Sequence, residues 1–599
     1  MLSNMRIRSL AGWVTVMATV LAATTSASSA ATARVGAHDS RDRTVSVQLL
    51  SFNDFHGNLE PPPGASGHVT SSQQGGNQPI SSGGVEYLAN ALRTVRKGHP
   101  YSVTAAAGDV VGASPLLSGF FHDEPTIEAM NELGLNVTSV GNHEFDEGLA
   151  ELLRKQHGGC HPKIGCYGKG KKFKGAKFRY LAANVTDAKT GKQILEPYMI
   201  WQHKDVKIGF IGVTLKGTPN VTQGAKGLKF GDEVETINRY AEELNHKGVK
   251  AIVALLHQGG FPASNNYDYK CDTPSAGSGL SGPIVDIAKR VTHKVAALVT
   301  GHTHEAYVCT IPDPSGTPRV VTSAASFGRL YTETTLTYDL QTNDIVRTAG
   351  KLPHAVNRAV SHSQPKATDM TQLIKHWNGL VASEGNKPVG YISADINGRG
   401  SKEYEKPLGD VIADAQLEGM SVLDKSGAQI AFMNPGGIRS DLAYKATGSE
   451  GDGVVSYRKA YAVQPFPSMI ETKDLTGSQI ISVLQQQVSG NVNGPKPKIL
   501  QISKGLTYRL DLTKSGMARI VISSVKLNNV AIAPDKTYRV AANDFLMNGG
   551  DGFPAFKEGT NVQIGLSSLD AFINYLKKHS SKKSPLAPPK AERVTLVKQ

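Results

Sequence analysis

Long apolar segments are nearly absent from this sequence. Beyond residues 11–23 there is no apolar run of about 18 residues, so no membrane span is expected after that point. The sequence also lacks an LPxTG-like sorting signal and a C-terminal apolar anchor. These absences favour a soluble, exported protein that is released to the exterior rather than attached to a wall.

Cysteine is scarce, and its spacing is informative. Cys160, Cys166, Cys271 and Cys309 are the four cysteines of the 599-residue chain. Neither close pair has C-x-x-C spacing, which disfavours a zinc knuckle. An even number of cysteines in an exported chain favours two disulfides. The simplest pairing joins Cys160 to Cys166 and Cys271 to Cys309, and the other two pairings stay open.

The expectation of export rests on the N-terminal residues. Arg6 and Arg8 precede the apolar residues 11–23, and a run of small residues follows them. This order is typical of a signal peptide, and we expect residues 1–33 to be removed by cleavage after Ala30 or Ala33. An uncleaved anchor is the alternative, although the apolar stretch is short for a membrane span.

Acidic residues are outnumbered by basic ones. The chain has 65 Lys and Arg against 51 Asp and Glu, a formal net charge of +14 at pH 7. An excess of positive charge favours anionic partners such as nucleotides, nucleic acid or cell-wall polyanions. Basic runs such as residues 169–178 and 577–584 are more typical of solvated surface. Charge therefore narrows the class of partner without identifying it.

Length and periodicity predict several layered domains. A chain of 599 residues exceeds a single core and predicts about two to four domains. Short apolar runs alternate with helical patterns such as residues 124–134 and 234–248, which predicts a layered α/β domain over residues 44–355. Residues 356–385 are predicted to hold a linker helix, residues 386–578 a second domain, and residues 579–599 a basic tail with one final strand. The linker helix is expected to place Met370, Leu373, Trp377 and Leu380 on one face.

Ligand-type side chains follow five strand-like runs of the first domain. One such residue after a strand is often only a helix cap, but five strands repeat the arrangement. The carboxyl ends of strands in α/β sheets are where ligands bind. Mixed carboxylate, amide and imidazole groups suit Zn, Mn or Fe better than calcium. The predicted metal ligands are Asp54, His56, Asp109, Asn142, His257, His302 and His304.

The motifs D-x-H (54–56), GD (108–109), GNHEFD (141–146), a His after a strand (257) and GHTH (301–304) resemble the calcineurin-like metallophosphoesterase pattern in order and spacing. The resemblance implies two metal ions. Asp54, His56 and His304 would hold one, Asn142, His257 and His302 would hold the other, and Asp109 would bridge them. It also implies that Asp146 orients His143, which stabilises developing charge or protonates the leaving oxygen. The attacking group would be a metal-activated water.

The second unit carries the motifs PLGDVIADA (407–415), NPGGIRSDL (434–442) and NDFLMNGGDGF (543–553). It is similar to the C-terminal domain of the secreted 5′-nucleotidase family, which includes bacterial UDP-sugar hydrolases and animal ecto-5′-nucleotidases. The two resemblances together cover residues 44–580. They imply a four-layer α/β/β/α metallophosphoesterase domain, joined by the linker helix to a C-terminal α/β domain that binds substrate.

Several side chains of the second unit have the chemistry to bind a nucleotide. Phe466 and Phe545 can stack on a base, and Asn434 can pair with a base edge. Asp551 can accept hydrogen bonds from ribose hydroxyls, and the planar fork of Arg439 suits phosphate. Arg399 and Lys402 are weaker phosphate-binding candidates, and both phenylalanines being core residues is the alternative.

Two departures from the commoner family motifs lie in the part of the sequence expected to contact the base. Pro467 and Ser468 stand where relatives commonly have Gly-Asn, and Pro435 removes a backbone donor from the NPGGIR motif. Neither departure touches a predicted metal ligand. The departures therefore bear on the identity of the substrate rather than on phosphoester hydrolysis.

The resulting prediction is an exported enzyme with two divalent metal ions that converts nucleoside 5′-monophosphates to nucleoside and phosphate. A nucleotide is its expected partner, and no stable nucleic-acid partner is expected. Alternatives on the same site are 2′,3′-cyclic nucleotides, dinucleotides and UDP-sugars. The non-enzyme alternative is a secreted binder of nucleotides or polyanions. The sequence leaves open the metal, the base preference, the oligomeric state and any glycosylation.

Overall fold

The structure is a computed structural model, and it describes residues 43–598 except 72–78, 265, 270, 272–278, 424–426, 447, 449 and 467. The predicted signal peptide, residues 1–33, lies outside the described residues, as does Pro467 of the altered motif. Among the described residues, no helix is both long and apolar enough to cross a membrane.

The first sheet has seven strands built around the first strand of the described chain, Thr44–Phe52. Alternate side chains of that strand face opposite sides, as the pleat of a strand requires. Val47 and Leu49 face a second sheet, whereas Leu50 and Phe52 face helices. The sheet consists, in spatial order, of Asp344–Ile345, Leu330–Asp339, Thr44–Phe52, Ser102–Ala107, Val137–Ser139 and Arg179–Leu181, and His354–Ala359 also pairs with Leu330–Asp339.

The second sheet has six strands, and its central members are parallel. Ile208 and Phe210 of one of these strands pack against the first sheet, and Ile211 and Val213 pack against helices on the other side. The sheet consists, in spatial order, of Ala306–Pro312, Pro318–Ala324, Val295–Thr300, Ile252–His257, Val206–Thr214 and Tyr198–His203.

The two sheets lie face to face between two layers of helices. The apolar residues between them come from both sheets and form one buried cluster, and each outer face carries its own helix-covered cluster. The predicted α/β/β/α arrangement is confirmed. The helices of this region are Val85–Arg96, Leu116–Gly119, Glu124–Leu133, Leu149–His157, Tyr167–Gly170, Glu233–His246 and Pro283–Arg290.

Both helices predicted in this region are present, the first as Glu124–Leu133 and the second as Glu233–His246. Residues at their ends explain where they stop and start. Gly134 ends the first at φ 85°, the left-handed region that glycine adopts without a side-chain clash. The second begins at Asp232, whose carboxylate accepts hydrogen bonds from the backbone N–H groups of Val234 and Glu235. The sequence therefore predicted these boundaries to within two residues.

The predicted linker helix spans Thr368–Gly385, and its buried face differs from the expected one. Met370 and Trp377 are buried as predicted, but Ile374 and Val381 are buried in place of Leu373 and Leu380. Leu380 is 40% exposed. The four buried residues belong to the cluster that covers the first sheet, so this helix packs as part of that layer.

Residues 386–598 contain a five-stranded and a four-stranded sheet. Strand Ile430–Met433 runs parallel to Thr537–Asn543, and the other pairs of the larger sheet are antiparallel. The larger sheet consists of Gln501–Ile502, Ile430–Met433, Thr537–Asn543, Met469–Thr476 and Thr560–Ser567, and the smaller of Val530–Ala531, Ile520–Leu527, Leu506–Asp511 and Val594–Val597. The helices are Pro407–Leu423, Tyr457–Val463, Gly477–Gln486, Gly490–Asn493, Asp544–Met547 and Ser568–His579.

Four two-stranded pairs complete the sheets. They are His68–Thr70 with Pro79–Ser81, Val185–Asp187 with Leu228–Phe230, Phe261–Pro262 with Leu280–Ser281, and Pro388–Tyr391 with Val454–Ser456. Both disulfides have the pairing expected as the simplest, Cys160 with Cys166 and Cys271 with Cys309.

The segment predicted as a basic tail contains the strand Val594–Val597, which pairs in parallel with Leu506–Asp511. The residue before this strand, Arg593, donates to both carboxylate oxygens of Asp414 at 2.8 Å. A planar guanidinium matches a carboxylate in this two-bond geometry. The chain end is therefore joined to the helix that carries Asp414.

Asp410 lies in the same cluster, and its environment predicts a pH-dependent stability. Three carboxyl groups, those of Asp410, Asp414 and Glu405, surround the guanidinium of Arg593. Asp414 binds it, and Glu405 accepts hydrogen bonds from the backbone N–H of residues 593 and 594. Within the described residues neither oxygen of Asp410 accepts a hydrogen bond, and Nε of Arg593 lies 3.7 Å away. Burial raises the pKa of Asp410 from 3.8 to about 9.

We therefore expect Asp410→Asn to stabilise the protein above neutral pH. Because the folded pKa is raised, wild-type stability is lost as pH rises from 3.8 towards about 9. Asn cannot ionise, so the variant should gain about 1–3 kcal/mol at pH 8 and progressively less towards pH 5. Urea unfolding across this pH range measures the difference. Asp414→Asn should destabilise instead, and a pH-independent effect of Asp410→Asn would contradict the explanation.

Candidate metal and substrate site

Most of the predicted metal ligands lie on loops with an uncommon backbone conformation, whereas His257 is the last residue of the strand Ile252–His257. Five of them have positive φ: Asp54 (50°), His56 (47°), Asp109 (49°), His302 (72°) and His304 (59°). Holding a non-glycine residue at positive φ costs about 1–3 kcal/mol, and the conformation persists where the surrounding structure imposes it. Such outliers cluster at functional sites, so their concentration at the carboxyl ends of the strands supports a site there.

The first ligand group brings Asp54, His56 and His304 together. The Nε2 atoms of His56 and His304 are 3.1 Å apart, and Nε2 of His304 is 3.2 Å from Oδ1 of Asp54. His56 donates from Nδ1 to the carbonyl of Gly112 at 2.9 Å, which leaves its Nε2 lone pair facing the group. Asn53 donates from Nδ2 to Oδ2 of Asp54 at 2.7 Å and fixes that carboxylate.

The second ligand group contains Asp109, Asn142, His257 and His302. Nε2 of His257 is 3.0 Å from Oδ2 of Asp109, and Nδ1 of His302 is 3.0 Å from Oδ1 of Asn142. His257 donates from Nδ1 to the carbonyl of Ala107 at 2.7 Å, so its other nitrogen faces the ligands. The same Oδ2 of Asp109 is 3.7 Å from Nε2 of His56, which places Asp109 between the two groups.

These donors fit divalent cations. The donor atoms of Asp54, His56 and His304 lie within 4.8 Å of one another, and so do those of Asp109, His257 and His302. Imidazoles with carboxylates are the ligands of zinc, manganese and iron sites. Burial raises the pKa of Asp54 to about 7. Burial would also raise the pKa of Asp109, but the neighbouring His257 and His143 hold it well below its usual value. Buried groups of this kind are most stable when a cation neutralises them.

Glu144 is a supporting residue that the sequence reading did not assign, although it lies inside the GNHEFD motif. Its buried carboxylate accepts hydrogen bonds from the backbone N–H of Asp109 at 2.9 Å, of Val110 at 2.8 Å and of Gly141 at 2.5 Å. One side chain therefore joins the two loops that carry Asp109 and Asn142. The GNHEFD motif contains Glu144, but only the hydrogen bonds of the folded chain show that its carboxylate binds the loop of Asp109.

His143 and Asp146 form the predicted pair. Nδ1 of His143 lies 2.8 Å from Oδ2 of Asp146, and Thr222 donates to the other oxygen of Asp146 at 3.0 Å. Burial would lower the pKa of His143, but the charges of Asp146 and Asp109 raise it above its usual value. The imidazole is therefore oriented through Nδ1, and its other nitrogen is available to a ligand.

Two of the residues predicted to bind a nucleoside, Asn434 and Asp551, are in direct contact. Asn434 donates from Nδ2 to Oδ2 of Asp551 at 2.7 Å, and Asn543 donates to Oδ1 of Asn434 at 3.0 Å. Lys498 donates to the other oxygen of Asp551 at 2.5 Å. Lys498 was not predicted, since it lies outside every motif quoted above. Asn543 was not predicted either, although it begins the NDFLMNGGDGF motif that also contains Asp551.

Phe466 and Phe545 are half-buried, and both line a cavity that His143, Arg439 and Asp551 also line. The ring of Phe466 stacks on the His143 ring at 5.6 Å and 25°, and the guanidinium carbon of Arg439 lies 5.6 Å from its centroid. Gly550 leaves room for Phe545, because a Cβ at that position would lie 2.5 Å from its ring. Neither ring is enclosed in the core.

Arg439 and Arg399 extend from the second part of the chain to the metal ligands. Nη2 of Arg439 lies 3.3 Å from Nε2 of His56, and Nη2 of Arg399 lies 2.8 Å from Nδ1 of His304. Lys402 is exposed. Arg399 is therefore placed more centrally than the sequence indicated. A cavity of about 1400 Å³ is lined by Arg399, Lys402, Arg439 and His304, together with His143 and Asp551.

Comparison with known proteins identifies relatives that cover most of this chain. A cell wall protein of Listeria monocytogenes is 32% identical over 89% of this chain and 67% of its own length. The endonuclease YhcR of Bacillus subtilis is 28% identical over 92% of this chain, which spans 41% of that protein. The snake venom 5′-nucleotidase of Gloydius brevicauda is 25% identical over 89% of this chain and 86% of its own length.

The family model described as 5′-nucleotidase, C-terminal domain, matches residues 387–558. Among solved structures, a 5′-nucleotidase precursor from Thermus thermophilus superposes with a TM-score of 0.72 at 24% identity, covering 93% of this chain and all of that one. The structural likeness supports the two-part α/β fold described above.

Proposed function

This chain belongs to the 5′-nucleotidase family, and on that premise we propose that it is an exported phosphohydrolase that converts nucleoside 5′-monophosphates to nucleoside and phosphate. The observation that carries the proposal is one cavity lined by both phenyl rings and by four of the predicted ligands, Asp109, Asn142, His302 and His304. Asp109 lies between the two ligand groups, close to His257 of one and His56 of the other. The proposed substrate class, nucleoside 5′-monophosphates, comes from the names of relatives such as the snake venom 5′-nucleotidase.

Two divalent ions fit the ligand groups. Asp54, His56 and His304 would hold one, and Asn142, His257 and His302 the other, with Asp109 shared. Bound ions of this type lower the pKa of water and neutralise charge on a phosphate. Zinc, manganese and iron all accept this donor set.

The remaining polar residues act on the phosphate and the leaving group. Arg439 and Arg399 lie beside the ligands His56 and His304, where their guanidinium N–H groups can bind phosphate oxygens. His143 is held through Nδ1 by Asp146, so its other nitrogen can give a proton or a hydrogen bond to the leaving oxygen. The elevated pKa of His143 favours the protonated form.

The base is proposed to lie between Phe466 and Phe545, with its edge at Asn434 and the ribose at Asp551. Aromatic rings hold any base by stacking, at about 1–3 kcal/mol per ring. Lys498 keeps Asp551 ionised and in place, so that the carboxylate can accept from a ribose hydroxyl.

Replacing Phe545 by alanine should raise KM for AMP about tenfold, with a smaller change in kcat, because stacking is made in both the ground and the transition state. Phe545→Tyr keeps the ring and should behave as wild type. Steady-state phosphate release measures both constants. An unchanged KM in Phe545→Ala would remove Phe545 from the base site.

The test of the proposed function is a phosphate-release panel on purified protein whose metal content has been measured. We expect AMP and other 5′-monophosphates to be hydrolysed faster than UDP-glucose and 2′,3′-cyclic AMP. Faster turnover of the cyclic nucleotide or the UDP-sugar would favour those alternatives. Metal-loaded protein that binds nucleotides without releasing phosphate would support the non-enzyme binder.

We also propose that the protein is exported and that its domains have the limits predicted from the sequence. Two disulfides support an oxidising compartment, and the relatives include a cell wall protein and a venom enzyme. The limits 44–355, 356–385, 386–578 and 579–599 are supported at one boundary by the family match from residue 387. Mass spectrometry of the mature protein would locate the cleavage site.

A further inference from the structure

The side chain of Lys155 is buried between two loops that carry site residues. Only 2% of it is exposed, and its Nζ lies 3.1 Å from Oε2 of Glu147 and 3.6 Å from Oδ2 of Asp123. Asp123 ends the connection that follows the strand Ser102–Ala107, and Glu147 lies in the connection that follows Val137–Ser139. These strands are neighbours in the first sheet, so one ammonium group joins the loops that leave them.

Lys155 is the buried counter-ion of these two carboxylates. The other buried cation nearby, Arg154, binds both oxygens of Glu151 and donates to Oε1 of Glu124 at 2.6 Å, so its charge is used elsewhere. Burial would raise the pKa of Glu147, but the charge of Lys155 lowers it to about 2. A charge enclosed in this way is strongly destabilising once its partner is removed. The loops are therefore held together by a contact with a large effect.

The route from Lys155 to the metal ligands passes through Gly112. The backbone N–H of Gly112 donates at 3.1 Å to Oδ2 of Asp123, the oxygen that faces Lys155. The carbonyl of Gly112 accepts from Nδ1 of His56 at 2.9 Å, and this bond turns the other nitrogen of His56 towards its ligand group. The position of Asp123 therefore affects where His56 is held.

Gly112 also touches the backbone of His143. A Cβ at position 112 would lie 2.3 Å from the carbonyl oxygen of His143, so this close approach requires glycine. The ring centroids of His56 and His143 are 5.1 Å apart. His143 is also reached by a second route, because Glu147 directly follows Asp146, which contacts its Nδ1. Both routes lead from one buried lysine to the proposed proton donor.

The loop between Asp109 and Asp123 has an uncommon backbone conformation at both of its ends. Asp109 and Ala113 have φ of 49°, and His122 and Asp123 have φ of 50° and 63°. Such conformations persist where surrounding contacts impose them. The ion pair of Asp123 with Lys155 is a contact of that kind, and we expect its loss to let the loop move relative to His143.

We propose that Lys155 is a positioning residue that sets the place of the proton donor His143 relative to the metal ligand His56. It acts through Asp123 on one loop and through Glu147 on the other. The inference rests on the proposed function and deepens it, because Lys155 is not among the described residues that line the cavity. Its effect is on protonation of the leaving oxygen, the step that depends on where His143 lies.

The test compares two substrates that depend differently on that proton. The 5′-oxygen of AMP needs a proton as it leaves, whereas 4-nitrophenolate leaves without one. Lys155→Met should lower kcat for AMP by about 10–100-fold, the scale of a misplaced group, and kcat for 4-nitrophenyl phosphate by less than about threefold. Both rates are measured on one full-length preparation at fixed free manganese. Inactive protein lowers both rates alike, so their ratio reports position rather than stability.

Two further variants test the same contact with less disturbance of the core. Glu147→Gln removes the charge of the more exposed partner and should shift the ratio in the same direction by about tenfold. Lys155→Arg keeps a cation and should restore the ratio to within about threefold of wild type. Lys459→Met is the control, since it removes another largely enclosed, ion-paired lysine outside the cavity. It should lower the melting temperature and leave the ratio unchanged.

An unchanged ratio in both Lys155→Met and Glu147→Gln would overturn the positioning role, whatever the stability of the variants. Equal losses on both substrates, accompanied by loss of metal, would also overturn it and assign Lys155 to retention of the ions. Failure of the proposed function gives a different result, in which wild type hydrolyses 4-nitrophenyl phosphate but not AMP. Phenyl phosphate, whose leaving group is poorer than 4-nitrophenolate, then replaces AMP in the same comparison.

Discussion

Replacing His143 by alanine should reduce kcat for AMP by about 10²–10⁴-fold, the range for loss of a positioned acid or base. The imidazole is held by Asp146 and faces the cavity. One of its nitrogens lies within 4.8 Å of donor atoms of His56 and Asp109, but His143 belongs to neither set of predicted metal ligands. Metal content should therefore stay at the wild-type value. Stopped-assay kinetics and elemental analysis of the same preparation measure the two quantities together.

The chain offers a matched control for this variant. His122 pairs with the carboxylate of Glu147 as His143 pairs with Asp146, but His122 is not among the residues that line the cavity. His122→Ala should keep kcat. Asp146→Asn should lower kcat by about 10–100-fold, since it disturbs orientation but keeps the imidazole. Loss of metal from His143→Ala, or an unchanged rate, would show that His143 has a different role.

The sequence was sufficient for features encoded by neighbouring residues. Each predicted ligand either ends a strand, as His257 does, or follows one within a few residues, so a short motif determines where that side chain lies. The ends of the helix Glu124–Leu133 were likewise predictable, because Gly134 supplies the left-handed conformation that ends it. The disulfide between Cys160 and Cys166, six residues apart, agreed with the simplest pairing for the same reason, and the second disulfide, between Cys271 and Cys309, then used the two remaining cysteines.

Features that depend on packing between distant segments were not predictable residue by residue. The order of strands along the sequence does not show which strands share a sheet. In the structure, Asp54 and Asp109 follow strands of the first sheet, whereas His257 and His302 lie at the ends of strands of the second. The four-layer arrangement came from the family resemblance. Only when two sheets stack with their carboxyl ends at one edge do these residues meet.

The face of an amphipathic helix shows the same limit. Leu373 and Ile374 are both apolar, and periodicity alone does not decide which of them meets the core. Contacts with the layer beneath bury Ile374 in this protein. The roles of Glu144 and Lys498 also became visible only through hydrogen bonds to residues 35 and 53 positions away.

Replacing Asp109 by asparagine should have the largest effect, a loss of activity of at least about 10³-fold, because a shared ligand affects both ions. Oδ2 of Asp109 faces His257 at 3.0 Å and His56 at 3.7 Å, one from each ligand group. Asparagine keeps the shape but supplies no negative charge between two cations. Metal content should fall from two ions per chain to one or none.

Bound metal should also stabilise the folded chain, because a ligand that binds only the native state raises its unfolding free energy. A chelator should therefore lower the melting temperature of wild type and have less effect on Asp109→Asn. Asp313→Asn is the matched control: Asp313 is a buried carboxylate paired with Arg347 away from the cavity. This variant should lose stability but keep both ions and its response to chelator. If Asp109→Asn kept two ions and wild-type turnover, a shared ligand at residue 109 would be excluded, and with it the dinuclear arrangement on which the proposed chemistry depends.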